Sequence, residues 1–233
     1  MKNLLLLLIS ALVLVSCLDE EEVNPSFVAY GLVISPYAEG ELDYAIALDN
    51  GQFVLPYMDL SDSPYEVEDN ERILVYLEYD SYNSYYSDTT DVKILDHVTI
   101  PGYDILTYTD SIGADTLGND PIAVANGSIY LTKNYLNIIY SYNEGYTPKS
   151  HSINLVYYPD STDEDGRILL KLHHNANNDL EQEYYSGFKV FDLNSVAPFA
   201  EVSDSLLYRI DVNAGDYDPS YAADYFLGVY YEQ

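Results

Sequence analysis

Leu206-Leu207-Tyr208-Arg209-Ile210-Asp211-Val212 is the stretch that decides the architecture. Side chains of a strand alternate between its two faces, so Leu206, Tyr208, Ile210 and Val212 share one face and Arg209 and Asp211 the other. A helical period of 3.6 would mix the apolar and charged sets. The same alternation recurs at 72–79, 92–100, 136–140, 153–157, 168–172 and 188–193, and helical spacing is nowhere sustained. The pattern predicts an all-β protein, with one short helix over 179–185. A formal net charge of −30 raises the question of disorder, but 48% of the chain is hydrophobic and 27 residues are tyrosine. That much apolar surface is enough to drive compaction.

Turn chemistry fits this reading. Asp49-Asn50-Gly51-Gln52 separates two apolar runs and predicts a hairpin, because Asn and Gly tolerate the positive φ angles of tight turns. A second turn, 159–166, joins two alternating runs and carries Asp160, Asp163, Glu164 and Asp165. Its register is wrong for calcium: with Gly166 at the glycine position of an EF-hand loop, the first ligand would be Ser161 and the last would be Leu172. His173 and His174 adjoin, so a strand directs them to opposite faces and they do not share one zinc ion. One is expected to face inward and the other outward at a strand end. No metal site is expected.

About five strands over 27–100 suit a small Greek-key barrel, and six or seven after residue 122 suit a two-sheet sandwich. The segment 103–122 is rich in Gly, Asp and Thr and lacks alternation, as a junction would. The expected division is a barrel domain at 26–110 and a sandwich domain at 111–233.

The first residues carry separate information. Met1-Lys2-Asn3 precedes an apolar run over 4–15 that ends at Ser16-Cys17, which is the order of a secretory signal and too short for a bilayer span of roughly 20 residues. Leu14-Val15-Ser16-Cys17 resembles the lipobox of bacterial lipoproteins, which implies cleavage after residue 16 and a membrane anchor through lipidated Cys17. A tether over 17–25 follows. Its Asp19-Glu20-Glu21-Glu22 is similar to the signal that exports Bacteroidetes lipoproteins to the outer face of the outer membrane; the alternative reading is a solvated spacer. Cys17 is the single cysteine, so no intrachain disulfide can form.

The excess of acidic residues, 39 against 9 Lys and Arg, repels phosphate backbones and excludes nucleic acid as a partner. It would attract a cationic protein or peptide, and it also simply keeps a secreted surface soluble.

Both expected domains contain stretches that resemble the NigD-like lipoproteins of Bacteroidetes. The stretches are Asp49-Asn50-Gly51, Arg72-Ile73-Leu74-Val75, Asp110-Ser111-Ile112-Gly113, Gly118-Asn119-Asp120-Pro121-Ile122, Tyr135-Leu136-Asn137-Ile138, His151-Ser152-Ile153-Asn154-Leu155 and Phe188-Lys189-Val190-Phe191-Asp192-Leu193. The resemblance implies an OB-like five-stranded barrel followed by a β-sandwich. It also implies an immunity or accessory role connected with a bacteriocin. The family often carries a tryptophan shortly after the Gly-Asn-Asp-Pro-Ile stretch; this chain has none, and Tyr130 stands nearest.

Chemistry-bearing patterns are sparse. No Gly-x-Ser-x-Gly elbow, phosphate loop or dinucleotide fingerprint occurs, and four histidines offer few bases. The expectation is a non-enzymatic, surface-exposed lipoprotein without a cofactor, which binds a protein or peptide. The alternative is an accessory glycan-binding lipoprotein. It draws on Tyr79, Tyr82, Tyr85 and Tyr86 in the run Tyr79-Asp80-Ser81-Tyr82-Asn83-Ser84-Tyr85-Tyr86, since exposed tyrosines stack on sugars or anchor partners. Tyrosine is also a good strand former and serves equally in a core. Asp-(Ser/Thr) pairs followed by an apolar residue or Thr resemble the O-glycosylation signal of Bacteroidetes and nominate Thr89, Ser111, Thr116, Ser161 and Ser205.

Overall fold

The computed structural model describes residues 24–38, 42–61, 66, 68–80, 89–109, 112–162, 167–196, 205–217 and 225–230. They form two compact units that divide between Thr99 and Ile100. Nearly all regular structure is strand, as the alternation requires.

The first unit holds β1 (Ser26–Ile34), β2 (Ala45–Leu48), β3 (Phe53–Asp59), β4 (Arg72–Tyr79) and β5 (Thr89–Thr99), closed in the order β1-β2-β3-β5-β4. β3 and β5 run parallel and the other neighbours antiparallel. This is the five-stranded OB-like barrel. Ile73, Val75, Leu77 and Tyr79 alternate inward along β4 and pack with Val33, Ile46, Val54, Val92 and Ile94. Gly31 of β1 is required there, because a Cβ would lie 2.5 Å from Ile46 Cγ2. The predicted hairpin joins β2 to β3 with Gly51 at φ +90°. Arg72 donates twice to Asp49, at 2.7 Å each, and so fixes the hairpin against the start of β4.

The second unit contains β6 (Gly102–Asp104), β7 (Leu106–Thr107), a single-turn α1 (Ala114–Leu117), β8 (Ile129–Thr132), β9 (Tyr135–Glu144), β10 (Ser152–Thr162), β11 (Ile168–Asn175), β12 (Glu183–Asp192), β13 (Ser205–Val212) and β14 (Tyr225–Tyr230). Two sheets, β14-β13-β11-β10-β7 and β6-β12-β9-β8, build the sandwich. Ile122, Leu136, Ile138, Leu155, Leu170, Phe191, Tyr208 and Ile210 lie in its core. Within β13, Tyr208 and Ile210 are buried while Arg209 bonds Asp211 on the wetter face at 2.8 Å.

Two expectations are corrected. The division falls before 110/111, because β6 pairs with β12 and β7 with β10; what reads as a junction enters both sheets of the sandwich. Ile105 is buried at the crossing between them. The expected helix over 179–185 is absent: β12 starts at Glu183 and pairs with β9 from Glu183↔Glu144 onward. Strand pairing and the β-preference of Tyr184-Tyr185 override a weak local helical signal.

Candidate functional site

Strand β11 ends in Leu172-His173-His174-Asn175, and the strand sends the two rings to opposite sides as expected. Both histidines are buried, 6% and 2% exposed, which corrects the expectation that one would point outward. The physical reason is that each side chain has a complete set of partners. Neutral imidazole offers one donor and one acceptor. His173 meets that count simply: Nδ1 donates to the Gly118 carbonyl at 2.8 Å, and Nε2 accepts from the Tyr158 hydroxyl at 2.9 Å. Tyr108 stacks on Tyr158 behind it.

His174 belongs to a larger assembly. Its Nδ1 donates to the Pro121 carbonyl at 2.9 Å, and its Nε2 lies 2.9 Å from Nδ1 of His151, the residue just before β10. The other nitrogen of His151 bonds Asp179 Oδ2 at 3.1 Å, with the two side chains 2% and 4% exposed. Tyr142 of β9 stacks on His151 with centroids 4.3 Å apart, lies 4.7 Å from His174, and contacts Tyr185 of β12 at 4.9 Å. Each ring nitrogen of the pair is thus occupied inside the protein.

Asp179 gathers the surrounding loops. Its Oδ2 also accepts from the backbone N–H of Gly145 and of Lys149, at 3.1 Å each, and its Oδ1 from that of Leu180 at 2.8 Å. These backbone donors and His151 hold its carboxyl well below the usual range, against the opposing effect of desolvation. Lys149 donates its ammonium to the carbonyls of Asn177 and Asn178, two residues with positive φ that form the turn after β11. Burial lowers the pKa of His174, and charge on His151 adds to this against the pull of the Pro121 carbonyl. Burial likewise lowers His173, opposed by its bond to Gly118. Desolvation raises Tyr142, and raises Tyr140 beside it to about 12.

This assembly forms one wall of a pocket of about 90 Å³ lined by Asp120, Asn143, His174, Asn178, Asp179, Glu181 and Tyr217, among others. An adjoining depression of about 250 Å³ adds Asp216 and shares Pro121, Asn143, Glu181 and Tyr217. Asp120, Asp179, Glu181, Asp216 and Tyr217 line this space, and no lysine or arginine does so among the described residues. Tyr184, 70% exposed, stands opposite Asn143 in the β9–β12 register and close enough to Tyr217 to influence its hydroxyl.

The model of the NigD-like C-terminal beta sandwich domain matches residues 104–221. The chain belongs to the NigD-like family. Solved structures share its fold across most of their length. A NigD-like immunity protein from Bacteroides caccae is 18% identical, with 87% of this chain and 92% of that one covered and a TM-score of 0.56. A protein of unknown function from Bacteroides vulgatus is 20% identical over 90% and 92%, with a TM-score of 0.59. A protein described as toxin-related, from Parabacteroides distasonis, is 20% identical over 88% and 94%, again at 0.59. No curated protein sequence matches the chain.

In this NigD-like chain the described residues among those nominated from sequence fall on separate elements. Tyr79 is removed from any binding surface: it is fully buried in the barrel, stacked on Phe27 at 4.7 Å, with its hydroxyl 3.0 Å from Gln52 Oε1. The alternation that buries Ile73, Val75 and Leu77 buries Tyr79 with them. Tyr82, Tyr85, Tyr86, Cys17 and Ser111 lie outside the described residues. Thr89 and Thr116 are exposed, Ser161 is half-buried near the end of β10, and Ser205 opens β13. Tyr130 is half-buried in β8. His151, Tyr142 and Asp179 were not singled out from sequence. The observed register explains the first: antiparallel pairing Ile153↔His174 across the β10–β11 hairpin brings residue 151 to the end of β11.

Proposed function

We propose that this NigD-like chain is a non-enzymatic lipoprotein, anchored through Cys17 at the outer face of the outer membrane, that binds a cationic protein or peptide. The carrying observation is the composition of the sandwich pocket: Asp120, Asp179, Glu181 and Asp216 beside Tyr217, with no lysine or arginine among the described residues that line it. A lysine or arginine side chain entering it would meet carboxylates and an aromatic face together, an arrangement that favours cations. The chain's charge of −30 would add long-range attraction for the same partner. The relatives described as an immunity protein and as toxin-related support a role in bacteriocin defence.

The test is capture from intact cells by the mature chain, with wild type compared to the double substitution Glu181→Gln and Asp216→Asn. The expected result is a recovered basic protein or peptide whose binding weakens with added salt and with the double substitution. Recovery of no protein, or binding indifferent to both, overturns the reading. Unchanged sensitivity to competing strains' toxins after gene deletion removes the immunity role while leaving the binding role standing.

A further inference from the structure

The hydrogen bonds around His151 and His174 contain one proton more than two neutral rings can supply. His174 Nδ1 faces the Pro121 carbonyl, which only accepts, so that nitrogen carries hydrogen. His151 Nε2 faces the Asp179 carboxylate, which also only accepts, so that nitrogen carries hydrogen too. Two neutral rings have then used both their protons. Their remaining nitrogens would confront each other, lone pair to lone pair, at 2.9 Å in a buried site. A third proton turns this repulsion into an N–H···N bond and closes an unbroken chain from Asp179 through His151 and His174 to Pro121.

We propose that this third proton is a latch: held between His151 and His174 and balanced by Asp179, it fastens the loop 145–151 to the end of β11, and its loss as pH rises opens that loop. The latch shares His174 and Asp179 with the pocket wall but needs no ligand in the pocket. The charge resides on His151, which touches the carboxylate, while His174 stays neutral and accepts. When the proton leaves, Asp179 keeps its negative charge on a side chain only 4% exposed and loses the cation that balances it. Its bonds to the N–H groups of Gly145 and Lys149 are then the ones that water replaces, because an uncompensated buried charge is costly. Gly145 is fitted to this contact, since a Cβ there would lie 2.8 Å from Asp179 Oδ1.

The other ionisable groups facing the pair favour a single proton. From β9, Tyr142 stacks on His151 and lies tilted against His174, with Tyr140 and Glu144 beyond it; from β12, Tyr185 lies against Tyr142. From the segment before Pro121, Asp120 acts on His174, and charge on His151 opposes a second proton there. Lys149 turns its ammonium away to the carbonyls of Asn177 and Asn178.

The experiment uses the full mature chain, labelled with nitrogen-15, from pH 5.5 to 9. Histidine ring spectra are read together with hydrogen-exchange protection of the Gly145 and Lys149 amides. The expected result is three ring N–H groups shared by His151 and His174 at the acid end. From about pH 6.5, the ordinary histidine value that applies once the loop is open, protection at the two amides should fall about tenfold per pH unit, the linkage factor for one proton, and level off above the pH where the third proton leaves the closed loop. His173 should remain one neutral tautomer throughout. Two neutral tautomers on His151 and His174 at every pH, or protection factors that do not change, overturn the proposal. His151→Phe keeps a ring against Tyr142 but supplies no N–H, and should show low protection at both amides without pH dependence.

Discussion

His173 and His174 are neighbours in one strand, both buried, yet one closes its hydrogen bonds as a neutral ring and the other does not. His173 has a carbonyl on one side and a hydroxyl on the other, and a hydroxyl can donate or accept as required. His174 has a carbonyl and a second imidazole, and that second imidazole ends on a carboxylate. The first arrangement is a satisfied core histidine. The second couples three loops to a proton. Burial alone therefore says little about what a histidine does; the identity of the atom beyond its far nitrogen decides.

Replacing each ring by phenylalanine breaks this comparison most directly. His174→Phe orphans the Pro121 carbonyl and the N–H of His151 facing it, and should lower unfolding stability by about 3–5 kcal/mol. Gly118→Ala is expected to follow, at roughly 2–4 kcal/mol, because the residue has φ +73° and a Cβ would lie 2.5 Å from the His174 carbonyl oxygen. His173→Phe should cost about 2 kcal/mol, since one of its two partners, the Tyr158 hydroxyl, is only half-buried and can turn to water. Urea midpoints at constant m-value rank the three. Equal losses for the two phenylalanine variants would erase the distinction between the faces.

The parts of this structure that could be read from sequence are those set by local parity. β4 and β13 announce themselves by alternation, and the parity of β4 also places Tyr79 inside the barrel. β6 and β7 were opaque because strands of three and two residues carry no period, and their partners, Val190 to Asp192 and Val156 to Tyr157, lie far along the chain. The cluster at the end of β11 was half legible. His173-His174 stands out, and opposite facing follows from strand geometry, but Asp179 sits in a segment whose local signal read as helix. His151 is joined to His174 only by a hairpin register that the long turn between β10 and β11 does not fix.

A smaller perturbation sharpens the simple face. Tyr158→Phe removes the hydroxyl that donates to His173 Nε2 and leaves an acceptor without its partner, for about 1 kcal/mol. The pocket on the other side of β11 should be untouched, so binding of a cationic peptide ought to survive this change while stability falls. Loss of binding in parallel with stability would mean that the two faces are not separate.

The smallest effect concerns acid. Burial holds both His173 and His174 below the ordinary histidine value of 6.5. The unfolded chain takes up protons there that the folded chain refuses, so the stability these two rings contribute is full above about pH 6.5 and declines as pH falls from that point. His173→Phe should flatten this decline by under about 1 kcal/mol between pH 6.5 and 5.5, measured as the change in urea midpoint with pH. Asp179, held low by its N–H donors, adds a later loss as pH falls below its usual 3.8 toward its folded value. Acid thus acts on both faces with the same sign, whereas the alkaline opening of the loop 145–151 belongs to the His174 face alone. A His173→Phe chain that keeps the alkaline opening and loses part of the acid decline would separate the two histidines by sign as well as by size.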